Sequence, residues 1–130
     1  MKPVKLIILP VLLVFLASCS PEPVALRQTL DLGGTWQFAL DTSGCGMQQK
    51  WYRTGLGDSI GLPGTTDLAR KGFPNTDTTT GHLNRVYRYE GAAWYRKKVV
   101  IPEGFRNKNV QLSLERTKSS KIWIDSSFIG

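Results

Sequence analysis

Apolar and polar side chains alternate along residues 29–41, which read TLDLGGTWQFALD. Trp36, Phe38 and Leu40 occupy every second position, and the positions between them hold polar or small residues. This period of two is typical of a half-buried β-strand, because successive strand side chains point to opposite faces. No stretch of a dozen residues carries a helical stripe, so the sequence predicts an all-β fold with many turns.

A second predicted strand lies within residues 91–104, GAAWYRKKVVIPEG. Lys97 interrupts its alternation, as a residue at a sheet edge or rim would. Pro102 has no N–H to donate and Gly104 permits unusual backbone angles, so the strand is expected to end there. The two predicted faces are Tyr95, Val99 and Ile101, and Trp94, Arg96, Lys98 and Val100.

The C-terminal part predicts one more strand and a hairpin. Residues 109–115, NVQLSLE, alternate Val110, Leu112 and Leu114 with polar residues. Residues 121–130, KIWIDSSFIG, indicate a strand, a tight turn at positions 125–127 and a returning strand.

A long irregular stretch is predicted from Gly55 to Tyr89, which is rich in Gly, Pro, Thr, Asp and Asn. A loop of this length in a small β-domain is usually functional, or it packs against another part of a larger protein.

The N-terminus has the pattern of an export signal. Lys2 and Lys5 form a positive region, and an apolar run follows at residues 6–16. This run is shorter than the roughly 18 to 20 residues of a membrane-spanning helix. The tetrad LASC resembles a bacterial lipobox, which predicts a signal peptide at 1–18 and lipidation of Cys19. The alternative is an ordinary cleaved signal peptide in which Cys19 is incidental.

The chain contains two cysteines, Cys19 and Cys45. A lipidated Cys19 cannot pair, so no intrachain disulfide is expected, and Cys45 is predicted to be a free thiol or a loop residue without a role. Residues 19–28 contain prolines and predict a short linker between the lipid anchor and the folded part.

Charge and composition exclude several function classes. The net charge of +7 raises the possibility of nucleic-acid binding, but the basic residues are scattered along strand positions, and export makes a solvated face the better interpretation. The sequence has one histidine, no Walker loop and no paired Cys/His spacing. It therefore predicts no cofactor and no metal site.

Several motifs together resemble the N-terminal sugar-binding domain of family 2 glycoside hydrolases, the family of β-galactosidases, β-glucuronidases and β-mannosidases. These motifs are LDLGGTWQFALD, then LPGTTD, then the segment from GAAWYRKKVVIP to KIWIDSSFIG, in that order and spacing. The resemblance covers residues 29–130. It implies a jelly-roll β-sandwich of the galactose-binding kind, normally followed by an immunoglobulin-like domain and a (β/α)₈ barrel.

The resemblance places the chemistry outside this sequence. In the family, two barrel glutamates act as acid/base and nucleophile, whereas the four glutamates here lie in a linker, a loop or at strand edges, so no catalytic residue is predicted. The family commonly has Asp-Gly or Asn-Gly at the hairpin turn, and this chain has Asp125-Ser126-Ser127, which tolerates positive φ less easily. The family's domain also continues for several more strands, so we expect an incomplete domain from a truncated or split gene.

Four residues are predicted to bind sugar. In some family members a loop of this domain reaches the barrel's pocket, and GHLNRVYRY occupies that place, which makes Asn84 the first candidate and Asp67 and His82 the next. Trp94 could stack on a sugar ring. The alternative is that the polar residues bond their own loop and that Trp94, like Trp36 and Trp123, packs in the core or at a domain interface.

Two functions follow from these observations. One is the non-catalytic N-terminal part of an exported, lipid-anchored family 2 glycosidase that acts on β-linked sugars, with the immunoglobulin-like and barrel domains as its partners. The other is a free-standing carbohydrate-binding or adhesive surface lipoprotein. Both predict carbohydrate as the ligand and attachment to a membrane through Cys19, in the periplasm or at the cell surface.

Overall fold

The structure is a computed structural model that describes residues 27–130. The predicted signal peptide, Cys19 and all but the last two residues of the predicted linker lie outside the described residues. The described part is all-β, as the sequence predicts, with short antiparallel sheets that are consistent with a β-sandwich. Its strands are β1 (Gly34–Asp41), β2 (Asp58–Leu62), β3 (Phe73–Pro74), β4 (Tyr87–Arg88), β5 (Ala92–Arg96), β6 (Trp123–Ile124) and β7 (Ser127–Phe128), with 3₁₀ helices at Trp51–Arg53 and Glu103–Phe105.

The largest sheet has the order β2-β1-β5, with β1 in the middle. Phe38 pairs directly with Tyr95 across the strands, and their ring centroids lie 5.1 Å apart in an edge-to-face arrangement. Phe38 is 1% exposed and Ile60 is 3% exposed. Because paired residues of an antiparallel sheet share a face, these three side chains form the core side of the sheet, and the predicted period of two in β1 is confirmed.

The opposite face of this sheet carries a group of packed rings. Trp94 stacks on Trp123 at 5.3 Å and lies 6.2 Å from Trp51. Trp123 also stacks on Tyr52 at 5.3 Å, with the two rings nearly parallel, and on Phe128 at 5.3 Å in a tilted arrangement. We call these five residues the aromatic stack. It joins β5, the first 3₁₀ helix and the β6–β7 hairpin, which are far apart in sequence.

The hairpin is confirmed, with a shorter turn than predicted. Trp123 pairs with Phe128 and Ile124 with Ser127, so only Asp125 and Ser126 form the turn. Asp125 adopts φ 54, and aspartate tolerates this left-handed conformation better than most residues because its short side chain can bond locally.

The prediction of an irregular stretch from Gly55 to Tyr89 is wrong in part. It contains β2, which pairs with β1 over five residues, from Gly34↔Leu62 to Phe38↔Asp58. The β2 sequence DSIGL has a single buried residue, Ile60, and a glycine weakens its local strand preference. This strand is therefore specified by its pairing with β1 and not by its own pattern.

The strand predicted to run to Pro102 ends at Arg96. Lys97 is the residue at which the alternation breaks, and its ammonium group lies next to the residue that precedes β1. Its Nζ donates to the Gly33 carbonyl at 2.6 Å and lies 5.7 Å from the centroid of the Trp36 ring. A carbonyl and a ring thus hold the basic side chain on the core side of the sheet, which accounts for the break.

The prediction of a strand at residues 109–115 is wrong, because the structure describes these residues and they form no strand. No strand is assigned there, and Val110, Leu112 and Leu114 are 60%, 44% and 44% exposed. Alternation alone does not make a strand, because the ladder needs a neighbouring edge to satisfy its backbone groups. None of the strands in residues 27–130 pairs with this segment.

Candidate functional site

A cleft of about 530 Å³ opens beside the end of β1. Its walls come from the β3–β4 hairpin and from the chain that leads into β5. We call it the first cleft. The lining residues are Asp41, Thr42, Phe73, Pro74, Asn75, Thr76, Arg88, Tyr89, Glu90 and Gly91.

One wall of the first cleft presents an aromatic ring next to an amide. Phe73 lies in β3 and is 61% exposed. Asn75 follows the strand, where its N–H donates to the Val86 carbonyl at 2.8 Å and its Nδ2 donates to the Arg85 carbonyl at 2.9 Å. These two bonds fix the amide at the mouth of the hairpin, beside the exposed ring.

The other wall carries an ion pair between Arg88 and Glu90. Nη2 and Nε of Arg88 donate to the same oxygen, Oε1 of Glu90, at 2.7 and 3.1 Å. The hydrogen bonds and charge of Arg88 lower the pKa of Glu90, and Glu90 in turn raises the pKa of Arg88. Glu90 is therefore ionised at neutral pH and acts as a hydrogen-bond acceptor rather than a proton donor.

Asp41 also lines the first cleft, and the residue is 6% exposed. The backbone N–H of Cys45 donates to Oδ1 at 2.8 Å, and Oδ2 accepts from the N–H of Gly46 at 2.9 Å and from Nε1 of Trp94 at 3.0 Å. Position 46 requires glycine, because a Cβ there would lie 2.6 Å from this carboxylate. The indole bond of Trp94, followed by the backbone bonds, lowers the pKa of Asp41 despite its burial.

Replacing Asp41 with asparagine is expected to lower the thermal unfolding midpoint at pH 7. The substitution puts an amide NH₂ group, a donor, in place of one carboxylate oxygen that accepts hydrogen bonds, so that donors face each other. The folded-state pKa of Asp41 is below its unfolded value, so the stabilisation is fully present above about pH 4 and is lost as the pH falls through the folded-state pKa. The difference in unfolding midpoint between wild type and Asp41→Asn should therefore shrink below about pH 4. Thermal denaturation from pH 2 to 7 measures it, and a difference that stays constant down to pH 2 would contradict this account.

Comparison with known proteins finds a distant similarity to a curated enzyme. Over 106 residues the chain is 21% identical to a protein named beta-glucuronidase from Paenibacillus borealis. The chain resembles a stretch of a β-glucuronidase. The match covers 81% of this chain and 16% of that protein, so the chain spans about a sixth of the length of this curated relative. No protein-family model matches the chain, and no solved structure matches it.

Two of the predicted sugar-binding residues come together around Asp77, outside the lining of the first cleft. Nδ2 of Asn84 donates to the carbonyls of Asp77 and Thr79, both at 3.2 Å. Nε2 of His82 lies 3.7 Å from Oδ2 of Asp77. The amide of Asn84 thus bonds the backbone of its own loop, which was the alternative interpretation of the sequence. Sugar contact by Asn84 and His82 stays a prediction.

The other two predicted residues support the walls of the first cleft. Oδ1 of Asp67 accepts the backbone N–H of Tyr87 at 2.8 Å, which fixes the start of β4. Trp94 donates to Asp41, a lining residue of the cleft, and packs its ring in the aromatic stack. Direct sugar contact by either residue stays a prediction.

Sequence reasoning missed the residues that line the first cleft. Phe73 and Asn75 belong to GFPN, and Arg88 and Glu90 to YRYE. The available signal was an aromatic residue before a proline, since proline favours sheet edges, where the neighbouring ring is exposed. The β3–β4 pairing that brings the two segments together joins Phe73 to Arg88, fifteen positions along the chain, and no local pattern indicates it.

The arrangement in the first cleft supports binding chemistry. An exposed ring, an amide and the ionised carboxylate of Glu90 offer one apolar surface and several polar groups, which is the composition of small-ligand sites. Across residues 27–130, no group of three or more His, Cys, Asp or Glu side chains is placed to hold a metal ion. Within the same residues, no helix has the length and apolar character needed to cross a membrane.

Proposed function

We propose that residues 29–130 form the non-catalytic sugar-binding domain at the N-terminal side of an exported family 2 glycoside hydrolase that acts on β-linked sugars. The similarity to a β-glucuronidase over 81% of the chain supports the relation to a glycoside hydrolase. The first cleft is the observation that carries the sugar-binding role.

The chemistry of the first cleft matches that of a sugar ring. The C–H groups on one face of a pyranose are apolar and pack on an aromatic ring, and the exposed ring of Phe73 provides such a surface. Sugar hydroxyls need acceptors and donors placed beside that ring. Glu90 offers a carboxylate of which one oxygen is bound by Arg88, and Asn75 offers an amide fixed by the hairpin.

Replacing Phe73 with alanine is expected to weaken the binding of β-linked sugars about tenfold, since loss of stacking on an aromatic ring costs about 1 kcal/mol or more. Isothermal titration calorimetry or NMR titration with methyl β-glycosides of glucuronic acid, galactose and mannose measures this effect. Leu83→Ala is the matched control, because Leu83 is fully exposed and lies outside the lining of the cleft. Equal affinities for wild type and Phe73→Ala would overturn the sugar-binding role of the cleft.

The whole protein is proposed to continue into an immunoglobulin-like domain and a barrel that carries the two catalytic glutamates. Sequencing the gene beyond the codon for Gly130 tests this part of the proposal. A continuous frame that encodes an Asn-Glu barrel motif is expected, whereas a stop codon followed by no such frame would favour a free-standing carbohydrate-binding lipoprotein.

Export and the lipid anchor at Cys19 belong to the same proposal. Mass spectrometry of the mature protein is expected to find acyl chains on Cys19 as the first residue. A mature N-terminus without them would contradict the anchor.

A further inference from the structure

A second cleft, of about 390 Å³, lies at the other end of β5 from the first cleft. Its lining residues are Arg53, Arg96, Asp125 and Ser126. Arg96 is the last residue of β5, Arg53 ends the first 3₁₀ helix, and Asp125 and Ser126 form the β6–β7 turn. Elements that the aromatic stack holds together therefore form this cleft.

Both arginines in the second cleft are held by uncharged groups. Nη1 of Arg96 donates to the Thr54 carbonyl. Cζ of Arg53 lies 5.7 Å from the centroid of the Tyr52 ring, and that ring stacks on Trp123. A carbonyl and an aromatic face orient a guanidinium but leave its charge unneutralised.

Among residues 27–130, two arginines, Arg88 and Arg106, form ion pairs with carboxylates. Arg88 lies 2.7 Å from a Glu90 oxygen, and Arg106 lies 2.8 Å from a Glu103 oxygen. Within residues 27–130, neither Arg53 nor Arg96 has a carboxylate oxygen within 4 Å, although Asp125 lines the same cleft. The second cleft thus brings together two unpaired guanidinium groups, one carboxylate and one hydroxyl.

These groups suit a ligand that carries both an oxyanion and hydroxyl groups. Guanidinium presents several N–H donors in one plane, which matches the two oxygens of a carboxylate or the oxygens of a sulfate. The carboxylate of Asp125 repels an anion but accepts hydrogen bonds from sugar hydroxyls, and the hydroxyl of Ser126 can donate or accept. A simple inorganic anion could bind the two arginines, but the carboxylate of Asp125 would repel it and would have no sugar hydroxyl to accept from.

We propose that the second cleft binds the carboxylate or sulfate group of an acidic saccharide, with Arg53 and Arg96 on the oxyanion and Asp125 on a neighbouring hydroxyl. This rests on the proposed sugar-binding function, and it adds a second contact region, at the opposite end of β5, that selects for acidic chains.

The test is an NMR titration of the full chain with four probes: glucuronic acid, glucose 6-sulfate, glucose and sodium sulfate. The two acidic sugars distinguish a carboxylate from a sulfate ester as the preferred group. Both are expected to shift the Nε–H signals of Arg53 and Arg96 and to bind more tightly than glucose. Arg96→Gln and Arg53→Gln should each weaken the binding of the preferred acidic sugar about tenfold, which corresponds to about 1.4 kcal/mol.

Arg106→Gln is the matched control, since it removes the same charge from an exposed arginine outside the second cleft. Arg53→Gln covers the case in which Arg96→Gln disturbs β5, because Arg53 lies in the short 3₁₀ helix instead of the sheet. Unchanged affinity for both acidic sugars in Arg53→Gln and in a folded Arg96→Gln would overturn the proposal. Sodium sulfate binding as tightly as glucose 6-sulfate would also overturn it, because the sugar would then contribute nothing.

The Phe73→Ala variant separates this proposal from the function on which it rests. It should weaken binding at the first cleft about tenfold and leave the shifts of Arg53 and Arg96 intact. Loss of the arginine shifts in Phe73→Ala would overturn the second cleft as an independent region. Absence of any shift at the first cleft in the wild type with the methyl β-glycosides of glucuronic acid, galactose and mannose would overturn the proposed function, while the acidic probes still report on the second cleft.

Discussion

Replacing Phe38 with alanine is expected to lower the free energy of unfolding by about 3 to 5 kcal/mol, the range for truncating a buried aromatic residue. Phe38 is 1% exposed, lies in the middle strand of the largest sheet and packs edge-to-face on Tyr95. Its removal loses both the apolar area and the contacts of neighbours that cannot collapse into the cavity. A small domain has a total stability of only about 5 to 15 kcal/mol, so this single change is a large fraction of it.

Denaturation by urea or guanidinium, followed by tryptophan fluorescence, measures the effect. Phe73→Ala is the matched control, because it deletes the same side chain at a position that is 61% exposed, and we expect a loss below about 1 kcal/mol there. Phe38→Leu keeps most of the volume and serves if the alanine variant does not fold. Equal losses for Phe38→Ala and Phe73→Ala would mean that the core does not lie on this face of the sheet.

The strands that sequence reasoning found are those whose local pattern matches their burial. In β1, the alternation of Trp36, Phe38 and Leu40 coincides with the core face, so a period-two pattern is enough to predict it. The β6–β7 hairpin is predictable for a similar reason, because the short polar turn Asp125-Ser126 separates two runs that contain large apolar residues, Trp123 and Phe128 among them.

The errors arise where pairing decides the structure. β2 is five residues long with Ile60 as its one buried residue and a glycine beside it, and its register is set by β1. Residues 109–115 have the alternation of a strand but no partner strand among residues 27–130, so they form no strand. A single sequence reports side-chain periodicity but not which edges meet, and strand pairing depends on both.

The two clefts show the same limit. Asn84 is predicted from its place in the family's loop; its amide bonds two carbonyls of that loop, and its contact with sugar stays a prediction. The first cleft instead depends on the pairing of Phe73 with Arg88, and the second on packing among the first 3₁₀ helix, β5 and the hairpin turn. Each cleft is assembled from residues distant in sequence, which explains why motif reasoning did not find them.

Replacing Trp123 with alanine is expected to cost about 3 kcal/mol of unfolding free energy, the lower end of the range for a large aromatic residue because Trp123 is only half-buried. Trp123 contacts Tyr52, Trp94 and Phe128, and it is the residue through which the hairpin packs on β5 and the first 3₁₀ helix. If the aromatic stack holds these elements together, the effects of Trp123→Ala and Trp94→Ala must depend on each other. A double-mutant cycle should give a coupling energy of about 0.5 to 1.5 kcal/mol between them.

The matched control for this cycle pairs Trp123→Ala with Trp36→Ala. Trp36 lies on the core side of the sheet, where Lys97 covers its ring, whereas Trp94 and Trp123 pack on the other side. The Trp36 and Trp123 changes should therefore add to within about 0.5 kcal/mol. Additive effects for Trp94 and Trp123 as well would show that the hairpin is held by its own turn and not by the stack. Arg53 and Arg96 would then have no fixed relation to Asp125, and the second cleft would lose the rigid support that its selectivity for acidic chains requires.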